Sequence, residues 1–205
     1  MARGVMAWRL MRALAMLAAL ALAGAAPAGA QETTSDRIPT APGEQALRQV
    51  LEVEADLATT WVLFTTDAGV RQWMAPVGVV DLRNGGSIRT NYDPCAAPGD
   101  PGTITNRIVN FVPGRMLTLQ ADLEPQREAS WMNETIYAAR DRLFAVIEFE
   151  AVTPDRTRIT MWGLGYGTSP EWETILGFFT AGNEWTFGQL QRALAGEANY
   201  PACGE

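Results

Sequence analysis

The chain has 205 residues, with 16 basic residues against 23 acidic ones and a formal net charge of −7. Every base is Arg; with no His and no Lys, a histidine general base, a Ser-His-Asp triad, a Schiff-base lysine and a His-ligated metal are all excluded. The acidic balance reads as a solubilising surface and argues against nucleic acid or anionic lipid as partners, since both need clustered positive charge.

Residues 1–30 carry Arg3, Arg9 and Arg12 without an acid, then the apolar run Ala13–Ala23, then a small-residue stretch ending Ala28-Gly29-Ala30. This is the layout of a cleavable secretory signal peptide. The run falls short of the ~20 apolar residues a membrane span needs, and no cysteine follows it for lipid attachment. Cleavage after Ala30 would release residues 31–205 to the periplasm or the medium with no membrane anchor. That mature chain holds 13 Arg against 23 acids and is long enough for one domain with a substantial core.

Residues 31–44 are polar, contain proline and show no periodicity, and are expected to be a flexible leader. "ALRQVLEVEA" alternates and predicts a strand. Asp56 and Asp67 are expected to cap two short helices, Leu57–Thr65 and one ending at Trp73. "VGVVDLR" and "SIRTNY" predict strands joined at Asn84-Gly85-Gly86. A proline- and glycine-rich loop, "DPCAAPGDPG", follows. "TITNRIVNFV" with "MLTLQA", and "FAVIEFEAV" with "RTRITMWGL", read as two further hairpins, with a short helix in "SWMNETIYAARD" between them. Parity turns Ile147, Phe149, Ile159 and Met161 inward, and Glu148, Glu150 and Trp162 outward. Ser169 and Pro170 open a last helix that runs to about Ala195 and stops at Gly196. Residues 196–205 form a tail.

The order, a strand, two short helices, six strands and a long helix, makes an α+β chain with an antiparallel sheet on which the last helix must lie. It is also the order of the helix-grip fold. Trp61 in the first helix, Trp73 closing the second, the turn of Asp81, Gly85 and Gly86, and Pro113 before a hairpin strand strengthen the match. Over residues 45–195 the chain resembles the START/Bet v 1-like (SRPBCC) superfamily, and most closely its activator-of-Hsp90-ATPase branch. That resemblance implies a curved sheet wrapped around the last helix, with a cavity between them. Trp61 reads as core; Trp73 as core or cavity wall.

The last helix departs from that branch. The branch carries Gly-Trp there, with Leu four and seven residues after the Trp; here Phe187 and Leu190 hold the Leu positions, Gly182 the Gly, and Asn183 the Trp. An amide thus stands in the middle of an inward stripe that is apolar at both ends. Either Asn183 and Thr186 bond to nearby sheet groups, or they line a cavity and meet a ligand. The expected ligand-binding set is Trp73, Ile147, Met161, Phe179 and Leu190 as the apolar wall, and Tyr92, Asn183 and Thr186 as the polar part.

Cys95 and Cys203 are the only cysteines. In an exported chain an even count suggests a disulfide, the alternative being two free thiols. A bridge would need the tail to fold back, since the resemblance puts the Cys95 loop near the start of the last helix.

The function these readings predict is an exported protein holding an apolar or aromatic small molecule, with no cofactor and no metal. One alternative is a cyclase, aromatase or dehydratase working in the same cavity through Tyr92, Asp93 or a bound water. Another is a protein-interaction domain without ligand. An Hsp90 co-chaperone role fits an exported chain least.

Overall fold

The computed structural model describes residues 32–129 and 132–204. The expected signal peptide at 1–30 and the first two residues of "SWMNETIYAARD" lie outside them. Eight strands form one sheet: β1 Thr34–Ala41, β2 Glu44–Val53, β3 Val77–Asp81, β4 Ser87–Asn91, β5 Ile104–Val112, β6 Met116–Ala121, β7 Phe144–Thr153 and β8 Arg156–Gly167. Their spatial order is β1-β2-β8-β7-β6-β5-β4-β3, with antiparallel pairing throughout. The helices are α1 Leu57–Thr65, α2 Asp67–Trp73, α3 Glu134–Ala139 and α4 Pro170–Leu194. This is the helix-grip arrangement: α1 and α2 follow β2, and α4 lies against the concave sheet.

Two readings are corrected. The supposed leader carries strand β1, exposed along its whole length and paired with β2 from Thr34↔Val50 to Ala41↔Glu44. A strand solvated on both faces has no apolar alternation to reveal it. Pro39 and the charges of Asp36 and Arg37 suit a sheet edge. The cap of α2 is Thr66, whose hydroxyl accepts from the Gly69 N–H at 3.0 Å. Asp67 instead accepts from the Val80 N–H at 2.8 Å and ties α2 to β3. Asp56 caps α1 as expected, accepting from the Thr59 N–H at 2.8 Å; those bonds hold its carboxyl below the usual range.

The apolar interior is split. One cluster joins Leu51, Phe64, Trp73, Ile88, Ile108, Leu117, Ile147, Phe149 and Ile159 to Phe187 and Leu190 of α4. The other gathers Leu47, Leu123, Ile136, Tyr166, Trp172, Ile175 and Leu176 around the first half of α4. Inward and outward faces follow the predicted parity, with Glu148 and Glu150 exposed between buried Ile147 and Phe149. Trp162 lies on the outer face. Its indole N–H donates to Glu148 at 2.7 Å, and the Arg48 guanidinium lies 5.7 Å from its ring. Arg48 also pairs with Asp36 of β1 at 3.3 Å, so the edge strand helps to cover this tryptophan.

Candidate functional site

The stripe of α4 is buried at Trp172, Ile175 and Leu176 and again at Phe187 and Leu190. Between them Phe179, Asn183 and Thr186 are only half-buried. Facing strands repeat the pattern: Met161 and Ala145 are half-buried while Ile159, Ile147 and Phe149 are sealed. The two apolar clusters therefore do not fuse beneath the middle of the helix.

The polar centre has a structural task. The Asn183 amide donates to Gln49 Oε1 at 2.8 Å, and Gln49 is 0% exposed on β2. The Gln49 amide donates in turn to Ser35 Oγ at 3.0 Å, and Ser35 donates to Glu184 at 2.8 Å. The circuit leaves α4, passes through β2 and β1, and returns to α4. Glu173 reinforces this flank, accepting from Arg37 at 2.8 Å and from the Gln45 amide at 2.9 Å. Thr186 contributes nothing to it; its hydroxyl bonds back to the Gly182 carbonyl at 2.8 Å.

The opposite flank differs. Tyr92, just past β4, is 48% exposed, and Trp185 on α4 is 51% exposed. Their rings lie 6.3 Å apart. Burial of its hydroxyl raises the Tyr92 pKa. Gly182 lies on this side, and a Cβ there would meet nothing within 4 Å.

Tyr166 occupies the boundary between the clusters. Gly165 adopts φ +86°, and a Cβ there would strike the Arg142 carbonyl, so only glycine permits this bend of β8. The bend folds the Tyr166 ring back over the inner face of Gly163, where a Cβ would lie 2.6 Å from Cε2 and 2.7 Å from the hydroxyl. The ring packs on Trp172 and Phe179, with centroids at 5.7 and 5.9 Å. Burial pushes its pKa up to about 12, so the phenol stays protonated and keeps its donor at ordinary pH.

The expected set therefore divides. Tyr92, Met161, Phe179, Asn183 and Thr186 border the half-open centre and its exposed flank. Trp73, Ile147 and Leu190 pack inside the first cluster; the Trp73 indole N–H is used on the Leu63 carbonyl at 2.9 Å, and its ring stacks on Phe64 at 4.6 Å. The sequence reading missed Gln49 and Tyr166. The inward parity of Gln49 beside Leu47 and Leu51 could have exposed the first; the glycine spacing of "GLGYG" was the available signal for the second.

Two surface concavities lie apart from this centre. One of about 200 Å³ is bordered by Arg107, Asp122, Glu124 and Arg140. The other, of about 350 Å³, lies between α2, the end of α4 and the tail. No trio of carboxylate or thiol side chains among the described residues is placed to hold a metal.

Cys95 and Cys203 are disulfide-bonded, with Cα atoms 4.8 Å apart. Gly196, at φ +79°, turns the tail back from the end of α4. Asn199 then donates to the Gln72 and Gln189 carbonyls at 2.8 and 2.7 Å, and the Tyr200 hydroxyl bonds to the Trp73 carbonyl at 2.9 Å. The Cys95 loop lies nearer the second half of α4 than expected, as the Tyr92–Trp185 pair shows. From Trp185 to Leu194 the helix rises roughly 14 Å, well within reach of a seven-residue tail. Burial, with Tyr92 nearby, pushes the Tyr200 pKa up to about 12.

No protein-family profile and no curated sequence matches the chain. Solved structures do match. CalU16 from Micromonospora echinospora superposes with TM-score 0.54 at 16% identity, over 80% of this chain and 87% of that one. The Aha1 dimer protein of Colwellia psychrerythraea gives 0.52 at 14% identity, over 73% and 95%. An HSP90 activator from Plasmodium falciparum gives 0.51 at 15%, over 76% and 97%. The chain thus has the helix-grip fold, and Hsp90-activator structures are among those it is similar to. At these identities the likeness is one of fold.

Proposed function

We propose that the protein binds a mostly apolar, aromatic small molecule between the centre of α4 and the sheet, and that it works outside the cytoplasm. One observation carries the binding reading: the interior is sealed at both ends of α4 and half-open in the middle, where Met161, Phe179, Asn183 and Thr186 are only half-buried. An apolar space with a few placed polar groups is the usual composition of such a site. The protonated tyrosines and the absence of histidine favour holding a ligand over moving protons. Export is supported by the layout of residues 1–30 and by the disulfide, a bond that persists in oxidising compartments. No described helix is long and apolar enough to cross a membrane.

Two experiments test this. Native mass spectrometry of protein purified from its own host should show a co-purifying small molecule and a mass beginning at Gln31; a mass that includes Met1–Ala30 overturns the export reading. Thr186→Trp should fill the central space without touching a tie to the sheet, because the Thr186 hydroxyl bonds only within its own helix. An apolar naphthalene dye that binds the native protein should fail to bind this variant. Equal dye binding by both proteins would overturn the central site.

A further inference from the structure

Tyr166 is the one buried hydroxyl at the junction of the two clusters. The residue is 8% exposed, yet its hydroxyl bonds to no other group among the described residues. It is not a sealed orphan either: the fully enclosed side-chain oxygens without partners are Gln189 Oε1 and Asn199 Oδ1. A deeply buried phenol that bonds to no group and is not fully enclosed leaves its hydroxyl open to a space beside it. Its position identifies that space. The ring lies on the inner face of Gly163, beside Phe179 of α4. Gly163 sits in register with Ala145 on one side and Leu47 on the other, so two small residues, Gly163 and Ala145, lie side by side in the sheet floor near the half-buried Met161. Asn183 reaches the same floor one pairing step away, at Gln49↔Met161.

We infer that the Tyr166 hydroxyl is the hydrogen-bond donor that orients the ligand of the central site, and that this ligand is a neutral aromatic molecule bearing a carbonyl or similar oxygen acceptor. The inference rests on the central-site reading above and specifies its ligand class. An idle buried donor costs stability unless an acceptor meets it. The acceptor comes from outside, because no oxygen among the described residues receives the Tyr166 hydroxyl; the nearby Asn183 and Thr186 donate elsewhere, to Gln49 and Gly182. It must be neutral, because the side chains that line this space (Met161, Phe179, Asn183 and Thr186) carry no charge, and an unpaired ion would be expelled. The rings of Trp172, Phe179 and Tyr166 suit an aromatic body. The raised pKa of the phenol keeps its proton in place.

The test uses a matched pair of probes: the dye propionyl-dimethylaminonaphthalene, a naphthyl ketone, and its propyl counterpart, in which the carbonyl is a methylene. Binding of each is measured to the native protein, to Tyr166→Phe and to Thr186→Trp. Tyr166→Phe should weaken the ketone about three- to tenfold, the worth of one neutral hydrogen bond, and leave the propyl probe unchanged; equal effects on both probes, or none, overturn the inference while the central site stands. Binding of both probes undiminished by Thr186→Trp, or of neither to the native protein, overturns the central site and the inference with it. The carbonyl stretching band of the ketone bound to native protein is a check that needs no variant. A shift to lower wavenumber than in alkane solvent supports the donor, and an alkane-like band refutes it.

Discussion

Asn183→Leu cuts the circuit between α4 and β2 at one atom. The change keeps the branched four-atom side-chain skeleton, with methyls bulkier than the amide, and improves helix propensity, so the local helix is not at risk. What it removes is the only donor to Gln49 Oε1 among the described residues, on a residue with no solvent exposure. Rotating the Gln49 amide does not rescue it, because rotation exchanges a stranded oxygen for a stranded NH₂ facing leucine. A buried acceptor without a partner costs about 1–3 kcal/mol. In a domain of this size each kcal/mol moves Tm by roughly 2–4 °C, so the variant should melt about 2–12 °C below the native protein. Gln49→Leu alone should strand the Asn183 amide only partly, since that residue is half-buried and water can reach it. The double variant replaces both partners by apolar groups and should recover most of the loss. Urea unfolding of all four proteins measures the coupling. Reasoning from the hydrogen bond fails if Asn183→Leu is as stable as the native protein. It fails equally if the double variant loses the sum of the two single changes.

Gly182→Ala should raise stability by about 0.5–1 kcal/mol, because a helix-interior glycine is entropically costly and a Cβ there meets nothing; a lower Tm would show an unseen steric demand. Cys95→Ser with Cys203→Ser should cost up to about 4–5 kcal/mol on the chain-entropy account of a 108-residue separation, and should make the tail cleavable near Asn199 under limited proteolysis; unchanged urea stability would refute this. Ultraviolet titration should show two phenols, Tyr166 and Tyr200, still protonated where free tyrosine ionises. Their pKa values are raised from 10.0 to about 12 in the fold, so the folded state holds protons the unfolded state releases. Stability from these groups is therefore complete below pH ~10 and is lost as pH rises from there towards 12; a urea midpoint unchanged between pH 9 and 11 would contradict the assignment.

Much of the fold was legible because its signals are local. The bounds of α1 and the end of α2 followed from the helical windows that Asp56 and Asp67 open, although the cap of α2 proved to be Thr66. The strands β3 to β8 followed from alternation and from the turns at Gly85 and Gly114. The features that escaped depend on partners distant in the chain. β1 exists as a strand because β2 offers it a ladder, not because its own residues alternate. Gln49 looks like a surface amide until Asn183, 134 residues later, arrives above it. Tyr166 turns inward only because Gly165 can bend and Gly163 leaves room. Asn183 stood out by its place in the apolar stripe, yet its sequence context could not separate a tie to the sheet from a contact with ligand.

The tie from Asn183 to Gln49 and the proposed ligand contact are compatible within one design. A tryptophan at this position would have fused the two apolar clusters into a continuous core, as large aromatic burial does. An amide cannot; it needs Gln49 beneath it, and Gln49 displaces apolar side chains from the floor of the sheet. Holding the helix by a polar circuit on the β1 flank thus leaves the space beside the circuit incompletely filled. Both ends of α4 are sealed by packing, and one flank is closed by Ser35, Arg37, Gln45 and Gln49. The flank left exposed is that of Tyr92 and Trp185, where the Cys95–Cys203 bridge fixes the neighbouring loop to the tail. Any substitution that packs the centre solid must therefore either break the tie to β2 or close this aromatic flank, so stability and ligand access should change together along α4 and not independently.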